Sequence, residues 1–388
     1  MFNPSRILQV AFVTVLLGGC AAPQTRTTTQ TTGPQHSNPA PGVESNGGTA
    51  NNNPTASVPA SRSGFLTRNG VLTPDAQAYA RNVAQTRHVP LAHVENLLKQ
   101  ARYNVTVARL MTPSNTRVRR SWVTYRNRFV DPVRIKAGAQ FWREHRAALD
   151  SAAQQYGVSQ AIIVAILGVE TIYGRNTGSF RTLDALATLA FRNPDTARPE
   201  RSQMFRDQLA DLIQLDNRHE LNALTATGSF AGALGLPQFM PGSLLRYAVD
   251  GNNDGKIDLS GSVDDAIMSV ANFLRQHGWV PGLPVFAPVD LPKDAAKWVK
   301  GGLEPTYTWS DLKGFGAKTR PSTFADTWKL HPLGIVDLPD EPRNTLELRS
   351  GTPNFFAITH YNRSYFYAAS VADLALAISR RISGTAPY

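Results

Sequence analysis

The pattern of apolar and polar positions already divides the chain. Residues 7–17 are almost wholly apolar, follow Arg6 and end in Gly18-Gly19-Cys20. A basic start, a short apolar run and small residues at its end read as a secretory signal. The run falls short of the ~20 residues a membrane-spanning helix needs. Residues 21–62 are rich in Thr, Gln, Asn, Ser, Pro and Gly. They carry too few apolar side chains to offset the entropy of folding and read as a flexible tether. Periodicity begins at Phe65. Thr73-Pro74-Asp75 predicts a helix start, Val89-Pro90 a restart, and Leu91–Ala101 a second helix. The stretch 147–281 reads as mainly helical. Between residues 283 and 357 Pro and Gly recur, and Thr345-Leu346-Glu347-Leu348 and Phe355-Phe356-Ala357-Ile358-Thr359 suit strands. Helical spacing returns from Tyr367 to Ile382. The expected fold is mostly α (α+β), helices with a small strand-rich insertion.

Composition changes this picture little and charge somewhat more. The 388 residues are 42% hydrophobic and 18% charged, which is globular, and the net charge of +11 suits an anionic partner. Nine Lys or Arg and only two acids lie between Arg117 and Arg146. That stretch is either a solvated face or a surface turned towards a polymer. The single cysteine, Cys20, excludes a disulfide within the chain. Leu17-Gly18-Gly19-Cys20 resembles the lipobox of bacterial lipoproteins, which implies cleavage before Cys20 and a lipid on its sulfur. Ala22, rather than Asp, two residues on implies the periplasmic face of the outer membrane of a Gram-negative bacterium. An exported, lipid-anchored chain argues against nucleic acid as the partner.

One charged residue, Glu170, stands between Ser151 and Gly174. Its helix is read from an N-cap at Ser159 to Tyr173, with Ile163, Ile166 and Leu167 on the face of Glu170. Desolvation there favours the neutral acid and raises its pKa. A carboxylic acid that stays protonated near neutrality suits protonation of a leaving-group oxygen. The plain alternative is a structural Glu paired with Arg175 or Arg181.

Further motifs narrow the choice. Gly168-Val169-Glu170-Thr171-Ile172-Tyr173-Gly174-Arg175, Leu183–Leu189, Ser229–Pro241, Ser269–Trp279 and Ile358–Ser364 occur in that order. Together they resemble the membrane-bound lytic murein transglycosylase B family. The resemblance implies a lysozyme-like core and Glu170 as the single catalytic acid and then base. It implies cleavage of the β-1,4 bond between N-acetylmuramic acid and N-acetylglucosamine without water, leaving 1,6-anhydromuramoyl ends. Residue by residue it carries over Ser229, Gln238, Tyr125, Arg201, Tyr361, Asn362 and Tyr367 as substrate-binding. Phe273 is carried over as substrate-binding too, but stands where a tyrosine is expected, so a hydroxyl contact is lost. Glu200 replaces one arginine of a pair, leaving Arg201 and putting contacts to anionic substrate groups in doubt.

Asp250-Gly251-Asn252-Asn253-Asp254-Gly255-Lys256-Ile257-Asp258 fits the opening of an EF-hand-like loop, with oxygen donors at alternate positions. The candidate ligands are Asp250, Asn252, Asp254, the Lys256 carbonyl and Asp265, with Asp264 as the alternative. Position twelve is Gly261, not Glu. A structural calcium or sodium ion is one reading and a metal-free Asx turn the other. No cofactor is expected for catalysis.

The expected organisation is a signal peptide over 1–19, lipidated Cys20 and linker over 20–62, and a helical domain over 63–156. A lysozyme-like core with the loop follows over 157–287, a small β-containing domain over 288–357, and a C-terminal segment over 358–388. Peptidoglycan strands and the outer membrane are the expected partners, with other cell-wall enzymes as candidates. Two rivals stay open. A hydrolytic muramidase needs a second carboxylate, for which Asp184 is the nearest candidate. A non-catalytic peptidoglycan-binding lipoprotein would not need Glu170.

Overall fold

A computed structural model describes residues 64–114 and 116–383. The expected signal, Cys20 and the tether lie outside the described residues. In chain order the helices are α1 (Pro74–Arg87), α2 (Leu91–Gln100), α3 (Val105–Met111), α4 (Trp122–Phe129), α5 (Pro132–Glu144), α6 (Arg146–Tyr156) and α7 (Gln160–Thr171). They continue with α8 (Thr182–Phe191), α9 (Pro199–Asn217), α10 (Pro241–Tyr247), α11 (Val263–Gln276), α12 (Trp309–Gly314), α13 (Pro353–Tyr361) and α14 (Tyr365–Ser383). The strands are β1 (Phe180–Arg181), β2 (Thr227–Gly228), β3 (Val289–Asp290), β4 (Lys318–Thr319), β5 (Gly334–Asp340) and β6 (Thr345–Gly351). They pair two by two, β1 with β2, β3 with β4 and β5 with β6, all antiparallel. The mostly helical expectation holds.

Local chemistry explains several boundaries. Thr73 caps α1 by accepting from the Ala76 N–H, and Pro74 occupies the first turn, where a missing N–H costs nothing. Asp131 caps α5 by accepting from Val133 and Arg134 N–H, again ahead of a proline. The β5–β6 hairpin runs in register from Gly334↔Gly351 to Asp340↔Thr345, and Asn344, with φ 50°, turns the chain before β6.

Two expectations are corrected. Residues Phe355–Thr359 are not a strand but the middle of α13, where Thr352 accepts from Asn354 N–H and Pro353 starts the helix. A short aromatic and β-branched run does not separate strand from buried helix, and the cap decided. Ser159 sits at the N-cap of α7, but its hydroxyl is buried and makes no capping bond.

The buried apolar residues form three clusters that are not consecutive in sequence. Helices α1–α3 close over α8 and α9, through Phe65, Tyr79, Leu97, Leu98, Leu186 and Phe205. A larger cluster gathers α4–α7, α10, α11, α13 and α14 around α7, in which every residue from Ala161 to Val169 is buried. The strand-rich part has its own core of Tyr307, Leu312, Trp328, Leu333 and Ile335. Among the described residues no single helix is long and apolar enough to cross a membrane. The buried middle of α7 places the end of that helix, and the acid on it, at the rim of the largest core.

Candidate active site

Helix α7 ends one residue beyond Glu170, and the chain then turns sharply. Ile172, Tyr173 and Gly174 all have positive φ, at 53°, 58° and 85°. For β-branched Ile172 this is strained backbone, tolerated only where the surroundings enforce it. The enforcing contacts are visible. Thr171 Oγ1 donates to the Leu236 carbonyl at 3.0 Å and accepts from Gly174 N–H at 3.0 Å. The Tyr173 hydroxyl donates to the Arg134 carbonyl at 3.0 Å, and Arg134 Nε donates to the Gly168 carbonyl at 3.0 Å. Gly168 and Gly138 make room for that tyrosine, since a Cβ on either would meet its hydroxyl at 2.4 and 2.3 Å. Three of these four supports carried no signal in the sequence, because their partners are 34, 39 and 65 residues apart.

The Glu170 side chain is half-buried and has one hydrogen bond, from the Tyr367 hydroxyl to its Oε1 at 2.6 Å. Neither Arg175 nor Arg181 pairs with it. Burial pushes its pKa up to about 7, with the Tyr367 hydrogen bond pulling the other way. No second charged group contributes to that shift. Tyr361 and Tyr125 also feel the Glu170 charge, and burial and then that charge hold their phenols well above the usual range. The Tyr361 and Tyr367 rings lie nearly parallel, 6.3 Å apart, and the Tyr361 hydroxyl donates to the Pro237 carbonyl. The structure thus brings Tyr125, Tyr361 and Tyr367 around Glu170.

Behind Tyr361 lies an aromatic wall. Phe273 packs edge-on to Tyr361 at 4.9 Å, and Phe239 is 5.6 Å from Phe273 and 5.8 Å from Tyr361. Phe273 is buried, so the ring expected to be a tyrosine serves here as apolar support. Ser229 is buried, and its Oγ accepts from Ala231 and Ala233 N–H, closing a tight turn. Gln238, at φ 53°, donates to the Thr177 and Gly235 carbonyls at 3.1 and 2.8 Å. Its buried Oε1 and the buried Nδ2 of Asn362 have no hydrogen-bond partner among the described residues. Arg201 is tied down elsewhere. It donates to Asp195 Oδ2 at 2.9 Å, alongside Arg198 at 2.7 Å. Burial opposes ionisation of Asp195, but the two guanidiniums outweigh it and hold the carboxyl below its usual range. Asp184, the candidate second carboxylate, is gripped by Arg181 and caps the Arg102 N–H at 2.7 Å.

The loop from Asp250 to Asp265 is folded on its own hydrogen bonds. Asp250 accepts from Asp254 and Gly255 N–H, and Asp254 from Lys256 N–H. Asp265, 1% exposed, accepts from Gly251 N–H at 2.9 Å and Asp258 N–H at 2.7 Å and has no ion pair among the described residues. The donor set is all oxygen, as a hard cation needs. Among the described residues no three acidic, His or Cys side chains are already gathered as a metal cage.

A cavity of about 490 Å³ lies apart from this site, between the start of α7, β3, β6 and α14. Its charged walls are mutually paired, with Arg349 bound to Asp373 at 2.7 Å and to Glu347 at 2.6 Å. None of the residues around Glu170 lines it. Glu170 is half-buried, has no ion pair among the described residues, and is raised in pKa by that burial.

Comparison with known proteins follows the same lines. A family profile described as "Transglycosylase SLT domain" matches residues 72–376. Membrane-bound lytic murein transglycosylase B of Escherichia coli (strain K12) is 35% identical over 322 residues, covering 79% of this chain and 83% of that protein. The crystal structure of soluble lytic transglycosylase SltB1 from Pseudomonas aeruginosa is 35% identical, with a TM-score of 0.69 over 80% of this chain and 100% of that one. The Escherichia coli lytic transglycosylase Slt35 in complex with calcium is 34% identical, with a TM-score of 0.67 over 80% of this chain and 94% of that one.

Proposed function

The chain belongs to the transglycosylase SLT domain family and is a lytic transglycosylase of peptidoglycan, and from that premise we propose that Glu170 alone performs both proton transfers of the reaction. The observation that carries this is an acid at the end of a nearly all-apolar helix whose one hydrogen bond among the described residues comes from a tyrosine. With its pKa raised to about 7, about half of it is protonated near neutral pH when a strand binds. It gives that proton to the glycosidic oxygen between N-acetylmuramic acid and N-acetylglucosamine, and the C1–O bond breaks. The 2-acetamido group of the muramic residue stabilises the cationic centre. Glu170, now a carboxylate, takes the proton of the muramic C6 hydroxyl as that oxygen attacks C1, closing a 1,6-anhydro ring. The nucleophile is tethered, so proximity replaces activation of bulk water and no second carboxylate is needed.

Tyr367 steadies the ionised form, and Tyr125 and Tyr361 complete the apolar enclosure. Gln238 and Asn362 offer amide atoms that a sugar hydroxyl or acetamido group would satisfy, and Ser229 shapes the turn beside them. Phe273 backs Tyr361. Arg201, paired with Asp195, stays a proposed contact for anionic groups of the strand. Calcium would be held by Asp250, Asn252, Asp254, the Lys256 carbonyl and Asp265, where a cation compensates the buried Asp265 and braces the loop. Cys20, lipidated, would hold the enzyme at the periplasmic face of the outer membrane, through the linker over 20–62. The divisions at 63–156, 157–287, 288–357 and 358–388 remain the proposed domains, and other cell-wall enzymes the candidate partners.

The test is mass spectrometry of muropeptides released by wild-type and Glu170→Gln protein. Anhydro ends from the wild type and none from the variant are expected. Hydrated ends, one water heavier, or equal release by the variant, would overturn the reading.

A further inference from the structure

Beyond the aromatic wall, three basic side chains converge from three different helices. His277 closes the C-terminus of α11, His360 lies in α13, and Arg246 lies in α10. The His277 ring stacks on Phe273 at 4.0 Å, and His360 is 5.0 Å from it. Tyr247 lies against His277 at 4.8 Å, and the Arg246 guanidinium sits 5.8 Å from the Tyr247 ring. Phe273 in turn touches Tyr361, whose ring faces Tyr367, the partner of Glu170. One unbroken row of rings therefore joins these three groups to the catalytic acid.

Little negative charge answers them. Glu304 reaches His360 Nε2 only at 3.9 Å and is 78% exposed. Asp211 is 3.8 Å from Arg246 and is already paired with Arg87 at 2.9 Å. No other acid among the described residues pairs with them. Glu200 stands where an arginine is expected, and Arg201 is paired with Asp195.

We infer that Arg246, His277 and His360 form a binding station for carboxylate groups of the peptidoglycan strand, at the far end of the aromatic wall from Glu170. This rests on the reading of Glu170 and its tyrosines as the strand-cleaving cleft. The strand carries carboxylates of two origins, the lactyl group of muramic acid and the stem peptides. His277 Nδ1 donates to the Phe273 carbonyl at 2.7 Å, so Nε2 is the nitrogen left to take up a proton. Burial holds the His277 pKa below its usual value, the Phe273 carbonyl opposes this, and the neighbouring His360 and Arg246 add to the lowering. An arriving carboxylate offsets that repulsion and brings a proton with it. Binding therefore strengthens as pH falls through the histidine range. The groups that face the imidazole of His277 are Arg246 and Tyr247 from α10, Phe273 from α11, and His360 from α13, with Glu304 beyond His360.

The test measures dissociation constants with full-length Glu170→Gln protein, in which Glu170 no longer titrates. Three probes are used: strands bearing stem peptides, peptide-stripped strands with free lactyl carboxylates, and neutral chitotetraose. At about pH 5.5, adding His360→Gln or Arg246→Gln should weaken a carboxylate-bearing strand by about five-fold and leave chitotetraose unchanged. Loss confined to peptide-bearing strands assigns the stem carboxylate, loss confined to peptide-stripped strands assigns the lactyl group, whose carboxyl is an amide wherever a stem peptide is attached, and loss with both assigns carboxylates of either origin. With His277→Gln the strengthening at lower pH should shrink, while the effect of Arg246→Gln persists at about pH 8. Thermal unfolding checks each variant, and Arg246, more than half exposed, keeps the test open if the histidine variant unfolds. Equal weakening of chitotetraose, or no weakening of either strand, overturns the station. Hydrated ends from the wild-type enzyme would instead overturn the Glu170 reading, whatever the histidines do.

Discussion

Two helices each carry a single acid in an otherwise apolar run: Glu170 in α7 and Asp184 in α8. Both side chains are half-buried. Asp184 is gripped by Arg181, which reaches both of its oxygens at 2.9 and 2.5 Å. Glu170 meets a tyrosine hydroxyl and no cation. The apolar helix is common to both, so it cannot be what makes an acid reactive. What decides is whether a compensating charge is within reach. With one, the acid is a brace between α8 and the α2–α3 segment. Without one, burial raises the pKa to about 7, where a proton can be held or given up near neutrality.

The comparison is broken most severely at the reactive acid. Glu170→Gln should slow release of anhydro muropeptides by roughly 10³-fold, about 4 kcal/mol of barrier, because the amide neither gives nor takes the proton. Timed product analysis at fixed strand concentration checks this. Stability should respond next. The unfolded carboxyl ionises near 4.5 and the folded one near 7. Between those values the folded protein binds more protons, so raising the pH favours unfolding. The contribution of Glu170 is thus fully present below pH 4.5 and lost as pH rises through about 7. The loss is about 3 kcal/mol, and it should be missing from Glu170→Gln. Urea unfolding of both proteins across that window measures the difference.

The braced acid should behave in the opposite way. Arg181→Met strands Asp184 without its cation and should cost about 2 kcal/mol of stability in urea unfolding, while the released ends stay anhydro. The smallest effect sharpens the comparison at Glu170 itself. Tyr367→Phe removes a hydrogen bond that favours the carboxylate, so the pKa of Glu170 rises further. Activity should fall about ten-fold, and the alkaline limb of the pH–rate profile should move to higher pH.

Much of this site was legible in the sequence because it is local. Helix α7, its apolar face and the acid near its end follow from residues 159–173 alone, and α1, with Thr73 and Pro74, follows from its cap. What was not legible depends on partners far along the chain. Tyr367 and Glu170 are 197 residues apart, so only family resemblance pointed to that pair. The grip of Asp195 on Arg201, and of Arg181 on Asp184, needed side-chain positions. His277 and His360 went unremarked because one lies in α11 and the other in α13. Phe355–Thr359 was misread because β-branched and aromatic residues suit a buried helix as well as a strand. The three cores interleave segments, so periodicity marks helices but not which of them pack together.

The most direct measurement is the titration of Glu170 itself, by NMR of carbon-13-labelled glutamate side chains, with Glu170→Gln identifying the resonance. The account predicts a midpoint near 7 for that one carboxyl. It also predicts that the midpoint moves upward in Tyr367→Phe. A midpoint in the ordinary glutamate range, near 4.5, would mean an acid already ionised when the strand arrives, and would contradict it.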